Sequence, residues 1–124
     1  MQGYSVSIKE TSKSLTAKER IQIKDTTDCV KLDEATQENA LIIQPDYYAI
    51  LAIHNEKSDN VDYENYVIVD KDGTKYVTGS ESFFTSFIGI YEEMANEDEE
   101  WGIKAYRMPS KNYKGKEFLT CSVV

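Results

Sequence analysis

The sequence has little of what catalysis or metal binding requires. Its 124 residues include one histidine, His54, and two cysteines, Cys29 and Cys121, which are far apart and follow no metal-ligand spacing. It has no nucleophile elbow, phosphate-binding loop, zinc-protease motif or dinucleotide-binding glycine pattern. We therefore expect no enzyme activity, no catalytic residue, no metal ion and no cofactor.

Long apolar segments are also missing. No run of about 18 apolar residues is present, so we expect no transmembrane helix and no membrane partner. The first ten residues have neither a basic start nor an apolar core, which argues against a signal peptide. Two cysteines in such a chain are expected to be buried thiols. Together these absences predict a cytoplasmic protein.

Basic residues are fewer than acidic residues, and they are unevenly distributed. The chain has 14 basic and 22 acidic residues, for a net charge of −8. Residues 1–55 carry −2, residues 56–100 carry −10, and residues 101–124 carry +4. An acidic protein of this kind does not attract nucleic acid over its whole surface. Any such attraction must be local, and residues 101–124 are where it would lie.

The segment 101–118, WGIKAYRMPSKNYKGKEF, interleaves these cations with aromatic side chains. Cations contact phosphates and aromatic rings stack on bases, which is typical of single-stranded nucleic acid binding. The candidate binding residues are Lys104, Tyr106, Arg107, Lys111, Tyr113, Lys114 and Lys116, and the candidate stacking residues are Tyr47, Tyr48 and Trp101. The alternative interpretation is a solvated basic hairpin whose aromatic residues belong to the core.

Strand alternation divides these candidates. Tyr106 and Arg107 are adjacent in a strand, so they point to opposite faces, which favours the loop residues 111–116 as the binding element. Trp101 and Phe118 are more typical of a core than of a site. Tyr47 and Tyr48 are also adjacent, so we expect one of them to face outwards.

The first forty residues predict short elements. Residues 4–9 alternate as a strand, and Thr16 with Glu19 forms a capping box that begins a helix over residues 17–24. Residues 28–32 are a candidate second strand. We interpret residues 1–39 as an N-terminal extension of a single domain that spans residues 1–124.

From residue 41 onwards the pattern is mainly β. We expect one long bent strand or two collinear strands over residues 41–54, with a bulge, edge or break at Pro45, followed by an Asp-Gly hairpin. An amphipathic helix with Ser80 or Ser82 as its N-cap and two final strands around the loop 109–116 come next. A helix between the third and fourth of five strands is the order of the OB-fold barrel. In that fold the loop between the last two strands binds ligand, and here this loop is basic. We therefore expect an OB-like core over residues 40–124.

Two segments resemble a known group of proteins. VDKDGTKYVTGSESFFTSF (69–87) and YRMPSKNYKGKEFLTCSVV (106–124) resemble small single-stranded DNA-binding proteins from phages and mobile elements of Gram-positive bacteria. The resemblance implies an OB-like fold and sequence-independent binding of single-stranded DNA during replication or recombination in the bacterial cytoplasm. The acidic segment 92–100 would then be a solvated face or a docking site for replication or recombination proteins.

The acidic residues also support a function of another class. A charge of −10 across residues 56–100 would suit an acidic inhibitor that mimics DNA, of the anti-restriction or anti-CRISPR type, and that binds a basic host protein. A third hypothesis is an accessory domain with no site of its own. The oligomeric state does not follow from the sequence.

Overall fold

The computed structural model describes residues 3–110 and 115–124. The fold is mainly β, as the sequence predicts, with 43% of residues in strands and 22% in helices. The elements are β1 (Tyr4–Thr11), α1 (Ala17–Lys24), β2 (Val30–Lys31), α2 (Leu32–Ala35), β3 (Leu41–Ile43), β4 (Pro45–Asn55), β5 (Asp62–Asp70), β6 (Lys75–Thr78), α3 (Glu81–Met94), β7 (Ile103–Pro109) and β8 (Glu117–Val123). No helix among them is long and apolar enough to cross a membrane.

The chain divides into two compact units. The first contains the residues up to Val30 together with Asp46–Gly79, and the second contains Lys31–Pro45 and Ser80–Val124. Each unit is built on its own strands. A five-stranded sheet has the order β1-β4-β5-β6-β2, and a three-stranded sheet has the order β3-β7-β8.

The core of the first unit follows from alternation along β4. Every second residue of this strand is buried, because one face of a strand repeats every two residues. Helix α1 contributes Ile23 to the same cluster, which packs against β4, β5 and β6. The buried cluster comprises Ile23, Tyr47, Ala49, Leu51, Ile53, Val67, Val69 and Val77.

Both ends of α1 are held by polar groups. At its start Thr16 Oγ1 accepts from the Glu19 amide at 3.1 Å, and Glu19 Oε1 accepts from the Thr16 amide at 2.9 Å. This capping box confirms the predicted helix and its bounds. At its end Lys75 of β6 donates to the carbonyls of Gln22 at 2.7 Å and Asp25 at 2.9 Å. The Gln22 carbonyl also accepts from the Asp25 amide at 3.3 Å, so the cation adds a second donor there and complements the helix dipole.

The predicted Asp-Gly hairpin is confirmed between β5 and β6. Gly73 has a φ of +93°, which is the left-handed conformation that favours glycine. Asp70 Oδ1 accepts from the Asp72 amide at 3.0 Å, and Asp72 Oδ1 accepts from the Thr74 amide at 2.8 Å. The two carboxylates therefore stabilise the turn itself.

The second unit packs α3 against its three-stranded sheet. Of the two predicted N-cap candidates, Ser80 and not Ser82 caps the helix, and its hydroxyl accepts from the Phe83 amide at 3.2 Å. Phe83, Phe84 and Phe87 are buried on one face of the helix, which packs against β8. The helix ends at Met94, so the acidic residues 96–100 form a loop, as expected.

The closed OB barrel expected from the strand order is not confirmed. The element order from residue 41 is as predicted, but the described strands form two sheets that do not close into a barrel. The long first strand is divided at Pro45, which cannot donate to a ladder, so β3 and β4 belong to different sheets. The expected strand over residues 28–32 is also shorter, because α2 begins at Leu32.

We predict that Lys75→Met destabilises the first unit. Lys75 is only 13% exposed and also pairs with Asp28 at 2.8 Å, so its loss removes an ion pair and two hydrogen bonds from the end of α1. The free energy of unfolding should fall by about 1.5–3 kcal/mol in urea denaturation followed by circular dichroism. The exposed Lys71 of the same hairpin is the matched control, since Lys71→Met should change stability by less than about 0.5 kcal/mol. Equal effects of the two substitutions would contradict the assignment.

Candidate nucleic-acid interface

The outer face of the three-stranded sheet combines cationic, aromatic and apolar side chains. The β7–β8 register pairs Lys104 with Ser122, Tyr106 with Thr120 and Met108 with Phe118. Ile42 of β3 lies opposite Lys104 on the other side. We define the outer face as Ile42, Lys104, Tyr106, Met108, Phe118, Thr120 and Ser122.

The residues between these positions form the inner face. Ile103, Ala105, Leu119 and Cys121 are buried, with exposures of 7% or less. Strand alternation therefore sends the buried set to one side and the outer face to solvent. The outer face holds Lys104 and Tyr106, which the sequence also places together on one side of the strand.

Tyr106 is fixed within the outer face. Its hydroxyl lies 2.8 Å from Ser122 Oγ, and Lys104 Nζ lies 5.5 Å from the centre of its ring. The latter distance is within the range of a cation–π interaction. The sheet thus holds a cation and an aromatic ring side by side at its surface.

Phe118 and Met108 continue this face towards the end of the hairpin. They are direct cross-strand partners, and each is 42% exposed. The expectation that Phe118 belongs to the core is wrong, because Leu119 and Cys121 occupy the inward positions of β8. Strand alternation from Lys104 is enough to place Met108 on the outer face from the sequence alone. The positions of Phe118, Ser122 and Ile42 on this face follow only from the pairing between strands.

Arg107 is directed away from the outer face. Its guanidinium donates to the carbonyl of Asp33 in α2, and its Nε is buried without a hydrogen-bond partner among the described atoms. Arg107 therefore ties α2 to β7, as its strand position opposite to Tyr106 requires. Its assignment as a binding residue stays a prediction from the sequence.

The remaining basic candidates lie at the hairpin end. Lys116 is exposed, and its carbonyl accepts from the Ser110 amide at 2.8 Å. Lys111, Tyr113 and Lys114 lie outside the described residues, so their roles stay predictions.

The three candidate stacking residues have other contacts. Trp101 is half-buried in the second unit and meets Tyr91 of α3 edge to face, with ring centres 6.0 Å apart. Tyr47 and Tyr48 belong to the first unit and point to opposite faces, as predicted. Tyr47 is in the core, and Lys13 Nζ lies 4.3 Å from its ring centre. The Tyr48 hydroxyl lies 3.3 Å from Glu10 Oε2.

A cavity on the first unit has the opposite electrostatic character. Its volume is about 390 Å³, and its polar lining includes Ser5, Ser7, His54, Asp62, Tyr63 and Glu64. His54 Nδ1 lies 2.7 Å from Asp62 Oδ1, and His54 Nε2 lies 3.6 Å from Glu56 Oε2. Within residues 3–110 and 115–124, no group of three or more metal-ligating side chains could hold a metal ion. These carboxylates disfavour a phosphate at the cavity.

Both cysteines are free thiols. Cys121 lies on the inner face of β8, where burial raises its pKa to about 11. Cys29 is partly buried, and burial raises its pKa as well. A thiol with a raised pKa is rarely ionised at neutral pH, so both are poor nucleophiles.

Comparison with protein-family models, with curated proteins and with solved structures finds no match for this chain. The resemblance to phage single-stranded DNA-binding proteins therefore stays a prediction from the sequence. The geometry and charge of the outer face are therefore the basis of the function proposed below.

We predict that His54 makes the stability of the first unit pH-dependent. The hydrogen bond that His54 Nδ1 donates to the Asp62 carboxylate raises the pKa of His54 above 6.5, slight burial opposes the shift, and Glu56 adds to it. Because the folded-state pKa is the higher one, this stabilisation is complete below the unfolded pKa of about 6.5 and disappears as pH rises through the folded pKa. The stability difference between wild type and His54→Gln should therefore shrink in urea denaturation as pH rises from below 6.5 through the folded-state pKa of His54. A difference that stays constant with pH would contradict this assignment.

We also predict that Arg107→Gln destabilises the second unit. The substitution removes the donor to Asp33 and should lower the free energy of unfolding by about 1–3 kcal/mol. Lys104→Gln on the exposed side of the same strand is the control for stability, with an expected change below about 0.5 kcal/mol. Thermal and urea unfolding measure both variants. Equal stability of the two would show that the Asp33 contact contributes nothing.

Proposed function

We propose that the chain is a sequence-independent single-stranded DNA-binding protein and that its outer face, with the adjoining basic loop, contacts the DNA strand. The observation that carries this proposal is the exposed Lys104 beside the Tyr106 ring. An exposed cation beside an aromatic ring on one sheet surface is the combination of side chains that is typical of single-stranded nucleic acid binding. Both are held on a strand, so they need little ordering when DNA binds.

The charge distribution supports the same surface. Residues 101–124 carry +4 in a protein of net charge −8. Lys104 and Lys116 are exposed, whereas Arg107 bonds internally, and the loop supplies Lys111 and Lys114 in sequence. Each exposed cation attracts phosphates over about one Debye length, roughly 10 Å at 0.1 M salt. The acidic remainder disfavours binding elsewhere.

The strand pairings support an OB-like fold as the finer description. If β3 and β4 are counted as halves of one strand, the neighbours β4–β5, β5–β6, β3–β7 and β7–β8 are four of the five that an OB strand order has, and the fifth, β6–β8, is not paired in the described sheets. The outer face then belongs to the final hairpin, whose loop is one of the ligand-binding loops of that fold.

The cellular role is proposed from the sequence. The resemblance of residues 69–87 and 106–124 supports action in the replication or recombination of phage or mobile-element DNA in the host cytoplasm. Glu92 and Glu93 on α3 and the acidic residues 97–100 are exposed, which is compatible with docking of a replication or recombination protein.

We predict that Lys104→Ala with Lys116→Ala weakens binding and lowers its salt dependence. Each phosphate contact that is lost should reduce the slope of log affinity against log salt by about 0.7 for a single strand. Fluorescence anisotropy of an end-labelled dT oligonucleotide measures this, whereas Trp101 packs against Tyr91 and is a poor reporter.

The control variant is Lys57→Ala, which removes an exposed lysine from the first unit and should leave the slope unchanged. Absence of wild-type binding at about 20 mM salt would contradict the proposed function. A slope that the double variant leaves unaltered would contradict the assignment of the two lysines.

The acidic DNA mimic is the second candidate function. Its supporting observation is the exposed carboxylates of Glu56 and Asp62, whose side chains are 64% and 80% exposed. This function predicts no oligonucleotide binding and stoichiometric inhibition of a restriction or CRISPR nuclease acting on its DNA substrate. Oligonucleotide binding without such inhibition would eliminate it.

A further inference from the structure

We infer that Met108 and Phe118 form the platform on which a nucleobase of the bound strand stacks. This inference rests on the proposed function and deepens it, because it assigns recognition of bases, and not only of phosphates, to a defined pair. The sequence candidates did not include either residue.

The register makes the pair contiguous. Met108 and Phe118 lie directly opposite each other in the β7–β8 ladder, and such partners have Cβ atoms about 4.5–5.5 Å apart. Both side chains point to the outer face, and each remains 42% exposed. A phenyl ring and a thioether side by side make a flat, polarisable surface.

Tyr106 is less suited to this role in spite of its aromatic ring. Its hydroxyl lies within hydrogen-bond distance of Ser122, Lys104 Nζ lies over its ring, and the residue is only partly exposed. Tyr106 therefore positions Lys104 and borders the platform. Of the two described rings on β7 and β8, that of Phe118 is the more accessible.

The lysines on either side of the platform indicate which kind of ligand it binds. Lys116 lies two residues before Phe118, and Lys104 lies four residues before Met108, which is about 13 Å along a strand. Cations on both sides of an apolar surface match a ligand that alternates anionic phosphates with apolar faces. Single-stranded nucleic acid has this alternation, and every base offers such a face.

The experiment compares a dT oligonucleotide with an abasic phosphodiester of the same length and charge. Wild type should bind the dT strand more tightly, because only this strand can stack. Phe118→Ala should lose about 5- to 150-fold in affinity for dT, the range for one stacked base, while its affinity for the abasic strand and its salt slope stay unchanged. Phe118→Trp should retain the preference for dT.

Val123→Ala is the matched control. Val123 is an apolar residue of the same strand with 51% exposure, but alternation places it off the outer face. This variant should bind both strands as wild type does. Circular dichroism melting of Phe118→Ala reports whether its fold is intact, and Phe118→Leu removes the ring while it keeps the apolar volume.

The outcomes separate this inference from the proposed function. Equal wild-type binding of dT and abasic strands would overturn the inference and leave the electrostatic site standing. Equal loss for both strands in Phe118→Ala and Phe118→Leu would also overturn it, because stacking affects only strands that carry bases. No wild-type binding of either strand at low salt would overturn both proposals.

Discussion

The alternation of side chains across the β7–β8 ladder is the constraint on which the candidate site depends. One register pairs Tyr106 with Thr120 and Met108 with Phe118, and it buries Ala105, Leu119 and Cys121 on the opposite face. A slip of one residue would exchange the two sets and place Lys104 in the core. Burial of the inner face against α3 therefore fixes the outer face, although the outer residues contribute little to that burial.

Pro45 is the second constraint, because it separates two sheets of different character. Without a donor at this position, the strand that begins at Leu41 cannot continue one ladder through β4. The three-stranded sheet keeps the basic hairpin, whereas the cavity of the five-stranded sheet places His54 between carboxylates. A chain of net charge −8 can in this way present a local cationic face.

Features set by neighbours in the chain could be predicted from the sequence. The Thr16 capping box, the Ser80 N-cap and the Asp70–Gly73 turn each depend on contacts within about five residues, and each is confirmed. The failure of the barrel to close, the exposure of Phe118 and the bond from Arg107 to Asp33 depend on pairings between distant segments. Sequence reasoning placed Lys104 and Tyr106 on one face because they share a strand, and it assigned Phe118 to the core because its facing depends on the register between two strands.

Formal charge overstates what the basic segment offers to a ligand. Lys104 and Arg107 are three residues apart and count equally toward +4, yet Lys104 is exposed and Arg107 is directed to the carbonyl of Asp33. A guanidinium that is bonded internally adds to the long-range field but is not available as a contact. Within the described hairpin, the cations available to a phosphate are therefore Lys104 and Lys116, which border the exposed side chains of Met108 and Phe118. The proposed site therefore combines two separate lysines with the exposed apolar side chains of Met108 and Phe118.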